Sequence, residues 1–182
     1  MRILFDLEAD GLLDTITQIH CLVALDLDTQ KIYRFYDGDI GEGAKPTDLP
    51  IKDIPRIFKA STLAVGHNII RYDLEVLKRF LGLEQSFTVH DTLVWSKTLN
   101  PDRAMPKGCP PVIYNPITEK YDKIGPHSIA AWGYRVGRGK PEYFDWKEFD
   151  AAMLHRCEED VNINMLVYLS LLEEAGMTLD DA

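Results

Sequence analysis

The sequence predicts a mixed α/β fold, in which helices pack on a sheet of antiparallel and then parallel strands. Three early runs rich in β-forming residues indicate the antiparallel strands, at 2–8, 19–27 and 31–36. Two short apolar runs, at 62–65 and 87–89, alternate with helical patterns, which is typical of parallel strands. The chain has 182 residues, 46% of them hydrophobic, which is enough for a sizeable core. We therefore expect a single domain over 1–182.

The order of the elements follows from periodicity, caps and helix breakers. The short connection at 28–30 predicts a hairpin of the second and third strands. Apolar residues at helical spacing, with Gly82 as a stop and Asp91 as a cap, predict helices at 51–59, 71–80, 92–99, 128–136, 146–154 and 157–174. Six prolines exclude a regular helix over 100–126 and leave room for a small hairpin of 112–114 with 119–121. So long a loop is usually functional or disordered.

Two acidic side chains follow the apolar start of the first strand. Asp6 and Glu8 stand two residues apart, and residues i and i+2 of a strand point to the same face. Two carboxylates so close repel each other unless a cation lies between them. Mg²⁺ and Mn²⁺ prefer such oxygen ligands. The pair therefore indicates either a metal site or a solvated strand end, and further carboxylates are needed to decide.

Composition narrows the function classes. The net charge of −9 disfavours passive nucleic-acid binding, which usually depends on a basic face. The stretch 95–140 nevertheless carries +5, leaving −14 on the remainder, so it either holds a polyanion or is an ordinary solvated loop. No apolar run reaches the roughly 18 residues of a membrane span, and no signal peptide is visible. The cysteines form no CxxC pair, which disfavours a zinc site and fits a reducing cytoplasm; they are Cys21, Cys109 and Cys157.

Two further acids lie where a ligand site is expected. Asp73 begins the helix that leaves the strand at 62–65, and ligands of open α/β sheets gather at the carboxyl ends of strands. Asp160 is expected in the first turn of the last helix. His155 lies five residues earlier, and a histidine side chain is suited to taking a proton from water at neutral pH.

Other polar residues are interpreted as structural. Glu158 and Glu159 are expected to be solvated first-turn acids that favour the helix dipole. The remaining strand-associated histidines are expected to be hydrogen-bonded residues of the core or sheet edge; they are His20, His67 and His90.

The acids and the histidine resemble the motifs of the DEDD superfamily of 3′→5′ exonucleases, which have an RNase H-like fold. The Asp-x-Glu motif matches 6–8, the Asn-x-x-x-Tyr-Asp motif matches 68–73, and the His-x-x-x-x-Asp motif matches 155–160. The other version of the third motif has a tyrosine four residues before the aspartate, where this chain has Arg156. The chain therefore resembles the histidine branch.

A closer resemblance, over nearly the whole chain, is to the proofreading domain of phage-type family A DNA polymerases. It rests on the segments 5–9, 66–68, 90–94 and 127–135. That group carries the tyrosine version of the third motif, so the chain departs from it there. Because no polymerase domain follows, we expect a free-standing nuclease or a separate subunit with a DNA polymerase or replication partner, in the cytoplasm of a bacterial or phage-infected cell.

The resemblance implies hydrolysis of phosphodiester bonds with two metal ions. The cofactors would be two Mg²⁺ or Mn²⁺ ions, held by the four motif acids, Asp6, Glu8, Asp73 and Asp160. His155 would accept the proton of the attacking water. The products would be nucleoside 5′-monophosphates released from the 3′ end of DNA.

The substrate would be a single-stranded or 3′-terminal strand. Asn68 and Tyr72 would shape its path, and Leu12 or Leu13 would wedge against the last base. The motifs do not separate DNA from RNA, since contacts to a 2′-hydroxyl are not visible in them. An RNA or oligoribonucleotide exonuclease, and a non-catalytic subunit that docks on a polymerase, are therefore the alternatives.

Overall fold

The computed structural model describes all 182 residues and centres on a five-stranded sheet. The strands are β1 (Arg2–Ala9), β2 (Ile19–Asp26), β3 (Ile32–Tyr36), β4 (Leu63–Gly66) and β5 (Thr88–Asp91), in the order β3-β2-β1-β4-β5. β2 is antiparallel to β1 and β3, whereas β4 is parallel to β1 and β5. The predicted fold class, antiparallel strands followed by parallel ones, is confirmed.

Alternation along β1 divides the core into two layers. Ile3, Phe5 and Leu7 face a buried cluster that includes residues of α1 (Ile54–Lys59) and α2 (Asp73–Leu81). Leu4 packs on the opposite face against α5 (Ala151–Glu174). Asp6 and Glu8 share the Leu4 side of the strand, because successive side chains alternate, and they therefore point towards α5.

The remaining helices are placed by their caps and by α5. Asp91 accepts hydrogen bonds from the amides of Leu93 and Val94 and begins α3 (Thr92–Leu99), and Gly82, with φ of 60°, ends α2. Both predicted roles are confirmed. α4 (Ile129–Val136) packs Trp132 against α5. None of the helices combines the length and the apolar character that crossing a bilayer requires.

The proline-rich stretch folds into one small hairpin and extended loops. β6 (Val112–Asn115) and β7 (Lys120–Lys123) pair antiparallel and form a separate two-stranded sheet, as predicted. Short 3-10 turns occur at Gly41–Gly43, Ile51–Asp53 and Leu179–Asp181. The helix predicted at 51–59 is the second of these turns continuing directly into α1.

One helix prediction is wrong. The two helices predicted at 146–154 and 157–174 are a single helix, α5, of 24 residues. Asp150 accepts a hydrogen bond from the amide of Met153 and so begins the helix, and neither glycine nor proline interrupts its length. Asp145 instead accepts a hydrogen bond from the amide of Lys147 in a short turn. Asp160 therefore lies well inside α5 rather than in its first turn.

Candidate metal centre

Three carboxylates from distant parts of the chain meet at the end of β1. Asp6, Glu8 and Asp160 each offer a carboxylate oxygen, and these oxygens all lie within 4.8 Å of one another. Asp73 lines the same cavity, which has a volume of about 190 Å³. The structure thus brings together all four acids that the sequence singles out.

The parallel pairing of β1 and β4 explains how Asp73 reaches this cavity. The two strands end at the same edge of the sheet, and the turn after β4 leads into α2, whose first residue is Asp73. Asp91 holds this turn, because its carboxylate accepts hydrogen bonds from the amides of Asn68 and Ile70 at 2.9 and 3.2 Å. Asn68 has a φ of 64°, a left-handed conformation that asparagine tolerates better than most residues.

Burial and mutual repulsion make the negative charges of the cluster costly. Burial first, and then the charge of Asp160, raise the pKa of Asp6 from its ordinary value of 3.8 to about 7. Burial and the charge of Asp6 raise the pKa of Glu8 and of Asp73 as well. Without a cation, the cluster therefore holds protons that isolated carboxyl groups would have lost.

Two basic side chains approach these acids. The Lys140 ammonium lies 2.6 Å from Asp160 Oδ2, and Arg156 Nε lies 3.6 Å from Glu8 Oε1. Both residues line the cavity, and their charges oppose the rise in the pKa of Asp6. In the sequence, Lys140 is notable only as part of the basic stretch 95–140. Arg156 is notable only because it occupies the motif position that can hold a tyrosine. Arg156 had a signal in the sequence, since it lies four residues before Asp160, whereas Lys140 lies 20 residues from that acid and had none.

The donor set fits a hard divalent cation. The buried Asp160 Oδ1 has no hydrogen-bond partner in the protein, and buried polar atoms are rarely left without one. Carboxylate oxygens that converge within a few ångströms are the ligands that Mg²⁺ and Mn²⁺ prefer. A divalent cation among these residues would therefore satisfy the unpaired oxygen and offset the repulsion.

His155 is not brought to this cavity. It lies in the second turn of α5 with an exposed side chain, whereas the next residue, Arg156, lines the cavity. Arg156 is held there by Pro141, whose carbonyl accepts a hydrogen bond from Nη1 at 3.1 Å, and by the ring of Trp146, which lies 5.0 Å from the guanidinium. The role predicted for His155 is thus without support from its placement.

The neighbouring acids also differ from expectation, since they lie beyond the first turn of α5 and are paired. Glu159 forms two 2.8 Å hydrogen bonds with Arg138, which lower its pKa. Glu158 lies 3.7 Å from Arg34 and 3.8 Å from Lys45.

The predicted substrate contacts lie near the cavity or on the loop beyond it. Asn68 is exposed, and the Tyr72 hydroxyl donates to the carbonyl of Gly11, which ties the 9–13 loop to the start of α2. Leu12 is 76% exposed and free to contact a ligand, whereas Leu13 packs partly against the core.

The three histidines are hydrogen-bonded, as expected. Nε2 of His20 lies 2.9 Å from the carbonyl of Trp146, and Nδ1 of His90 lies 2.7 Å from the Tyr168 hydroxyl. His67 lines the acidic cavity, with its Nδ1 2.9 Å from the Thr92 hydroxyl.

The chain is similar in sequence to DNA polymerases of two phages. The chain is 27% identical over 164 residues to a DNA-directed DNA polymerase of Enterobacteria phage T3, and 27% identical over 167 residues to that of Escherichia phage T7. These matches cover 86% and 88% of the chain, and the chain spans only 22% of the length of each polymerase. No protein-family model matches the chain.

Solved structures identify the fold. A structure described as the apo form of a nuclease superposes with a TM-score of 0.61 at 15% identity, over 95% of this chain and 72% of that one. The EXO domain of Nibbler from Aedes aegypti superposes with a TM-score of 0.60 at 9% identity, over 97% and 81%. The fold is RNase H-like. The resemblance to the DEDD exonucleases, which the motifs indicate, is confirmed with it.

Proposed function

We propose that this chain is a metal-dependent 3′→5′ exonuclease domain that hydrolyses DNA to nucleoside 5′-monophosphates. One observation carries the proposal: four acids from β1, α2 and α5 line one cavity, and a buried oxygen of Asp160 lacks a partner there. The similarity to phage DNA polymerases supports DNA as the substrate. The same similarity supports a polymerase or other replication protein as the partner.

The residues would share the work of hydrolysis. Asp6, Glu8, Asp73 and Asp160 would hold two Mg²⁺ or Mn²⁺ ions. Bound ions of this kind lower the pKa of water and stabilise the charge of the leaving oxygen. The water oxygen forms a bond to phosphorus, the bond from phosphorus to the 3′ oxygen of the preceding nucleotide breaks, and that oxygen receives a proton.

Positioning falls to groups around the cavity. Lys140 and Arg156 bring positive charge to the site and would attract the backbone phosphates that must approach four acids. Tyr72 fixes the 9–13 loop through Gly11, and Leu12 at its exposed tip would contact the terminal base. Asn68 presents an exposed amide at the turn before α2, where it would meet the strand.

The proton acceptor is tested separately. A general base contributes about 10²–10⁴-fold to a rate, so His155→Ala would lose that factor if the imidazole accepts the proton of water. We expect the variant to keep a rate close to that of the unchanged protein, because the His155 side chain is exposed and does not line the cavity. A loss of rate of that size would support His155 as the proton acceptor.

The deciding experiment follows degradation of DNA labelled at the 5′ end, so that a ladder of shortened products reports removal from the 3′ end. Reactions contain MgCl₂, MnCl₂ or EDTA, and single-stranded DNA, duplex DNA and RNA are compared side by side. Asp6→Asn and Asp160→Asn should abolish the ladder. Glu84→Gln, which changes an exposed acid remote from the cavity, should leave it intact.

Several outcomes would overturn the proposal. Activity that persists in EDTA would contradict the proposed dependence on metal ions. Products shortened from the 5′ end would contradict the proposed 3′→5′ direction of degradation. Preferential degradation of RNA would favour the oligoribonucleotide alternative. Binding without degradation in either metal would favour a non-catalytic subunit.

A further inference from the structure

A second and larger cavity opens beside the acids. It is a groove of about 690 Å³ between the β6–β7 hairpin and the segment 137–146, which we call the hairpin groove. Four residues line both the hairpin groove and the acidic cavity: Ile129, Lys140, Trp146 and Arg156. The groove is therefore a continuous approach to the proposed catalytic acids.

Aromatic rings line this approach. Tyr134, on α4, is 51% exposed, although the three residues before it in the helix are buried. Tyr143, Phe144 and Trp146 follow along the segment 137–146, and the rings of Tyr143 and Trp146 pack edge to face at a centroid distance of 5.0 Å. Partly exposed rings in a concave surface offer faces on which unpaired bases stack.

The charge of the hairpin groove is opposite to that of the whole chain. Four basic residues line it, Lys123, Arg138, Lys140 and Arg156, against two acids, Asp122 and Glu142. The chain as a whole carries −9. Arg138, Lys140 and Arg156 are paired with acids on α5 and β1, whereas Lys123 forms no ion pair. Basic groups next to an acidic centre suit a phosphate backbone whose end must reach that centre.

The wall formed by the segment 137–146 is anchored before any ligand binds. Arg138 is bonded to Glu159, and Lys140 to Asp160, both on α5. The carbonyl of Trp146 is held by His20 on β2. A groove whose wall is already fixed loses little conformational entropy when it binds an extended chain.

We propose that the hairpin groove binds a single-stranded nucleic acid, with bases stacked on its aromatic rings and the 3′ end directed to the acids. This inference rests on the proposed function and adds the path of the substrate strand. Stacking requires unpaired bases, so a duplex does not use the groove until its 3′ end has opened. The hairpin β6–β7 supplies the outer wall, which gives the proline-rich stretch a role.

The test compares two exposed tyrosines on neighbouring elements. Tyr134 lines the groove, whereas Tyr114 on β6 is 48% exposed and does not line it. Binding of a fluorescein-labelled oligo(dT) is measured by anisotropy in EDTA, where no hydrolysis occurs. Tyr134→Ala should weaken binding about 5- to 150-fold, the range expected for one stacked base. Tyr134→Phe should restore it, and Tyr114→Ala should bind as tightly as the unchanged protein.

Salt and length give independent readouts. Lys123→Ala should reduce the slope of log affinity against log salt by about one, as expected for one lost phosphate contact. Tyr134→Ala should lower kcat/KM on long single strands but leave hydrolysis of a dinucleotide unchanged, because the proposal places Tyr134 against bases that precede the two nucleotides at the acids.

Several results would contradict the proposal that the hairpin groove binds a single strand, without contradicting the nuclease assignment. They are unchanged oligo(dT) binding by Tyr134→Ala, an equal loss in Tyr114→Ala, or binding of blunt duplex as tight as that of single strands. Absence of any oligo(dT) binding would also overturn it. Failure of the nuclease assignment would appear differently, as intact oligo(dT) binding with no degradation in either metal.

Discussion

The repulsion among the buried acids predicts how stability depends on pH when no metal is bound. Asp6 has a pKa of about 7 in the folded protein and an ordinary value of 3.8. The folded state therefore binds this proton more tightly than the unfolded chain does. Its contribution to stability is fully present below pH 3.8 and is lost as the pH rises through about 7. Glu8 and Asp73 shift in the same direction.

The size of the effect follows from the pKa difference. Each unit corresponds to about 1.4 kcal/mol. At pH 5 the Asp6 carboxyl lies two units below its folded pKa of about 7, so it still contributes about 3 kcal/mol, and at pH 8 it contributes almost nothing. The facing charges of Asp160, Lys140 and Arg156 are already included in that pKa.

A difference measurement isolates this contribution. Burial lowers the pKa of His67 to about 4, which makes the stability of the whole protein rise with pH over part of the same range. The measured quantity is therefore the unfolding free energy of Asp6→Asn minus that of the unchanged protein, from urea titrations in EDTA followed by tryptophan fluorescence. We expect this difference to increase by about 3 kcal/mol between pH 5 and pH 8.

The control and the addition of metal complete the experiment. Glu84→Gln, a change of an exposed acid, should show no such increase. At pH 8, MgCl₂ should stabilise the unchanged protein and have little effect on Asp6→Asn, because the ion binds ionised carboxylates. A difference that stays flat or falls with pH would refute the idea that buried, mutually repelling carboxylates form this cluster.

Three further variants test the surroundings of the site. Lys140→Met removes the ammonium that pairs with Asp160, so the metal-free protein should lose about 3 kcal/mol at pH 8, while MgCl₂ should raise its melting temperature more than it raises that of the unchanged protein. Gly66→Ala should cost about 1–3 kcal/mol because its Cβ would overlap a buried side chain, whereas Gly125→Ala meets open space and should change stability by less than about 0.5 kcal/mol. Asp91→Ala removes an acceptor shared by backbone amides of two segments and should cost at least about 3 kcal/mol and lower nuclease activity.

Each of these variants can contradict the structure. A Lys140→Met protein as stable as its parent in EDTA would mean that the ammonium does not pair with the cluster. Equal stability losses in Gly66→Ala and Gly125→Ala would contradict the close contact described at Gly66. An Asp91→Ala protein with full activity would show that the turn before α2 keeps its shape without this carboxylate.

The sheet and the acids could be predicted because short-range rules determine them. Alternation along a strand places Asp6 and Glu8 on one face whatever the rest of the chain does. A parallel strand followed by a helix brings Asp73 to the same edge of the sheet. These predictions needed only local periodicity and the known geometry of parallel pairing.

The basic side chains at the site could not be predicted in the same way. Lys140 lies in an irregular segment whose position depends on Arg138, Glu159 and the carbonyl of Trp146, which are contacts between residues far apart in sequence. No periodic pattern carries that information. Sequence patterns likewise located the basic, proline-rich stretch but not the groove that it forms with the segment 137–146.

The His-x-x-x-x-Asp motif at 155–160 shows that the starting point of α5 determines which side chain faces the acids. An α-helix turns about 100° per residue, so a residue four positions before Asp160 lies about 40° from it, and one five positions before lies about 140° away. Arg156 therefore faces the cavity and His155 faces outward, provided that both residues are helical. The prediction for His155 required the helix to begin after it. Asp150 begins the helix five residues before His155, and its bond to the Met153 amide fixes the register of the rest of α5.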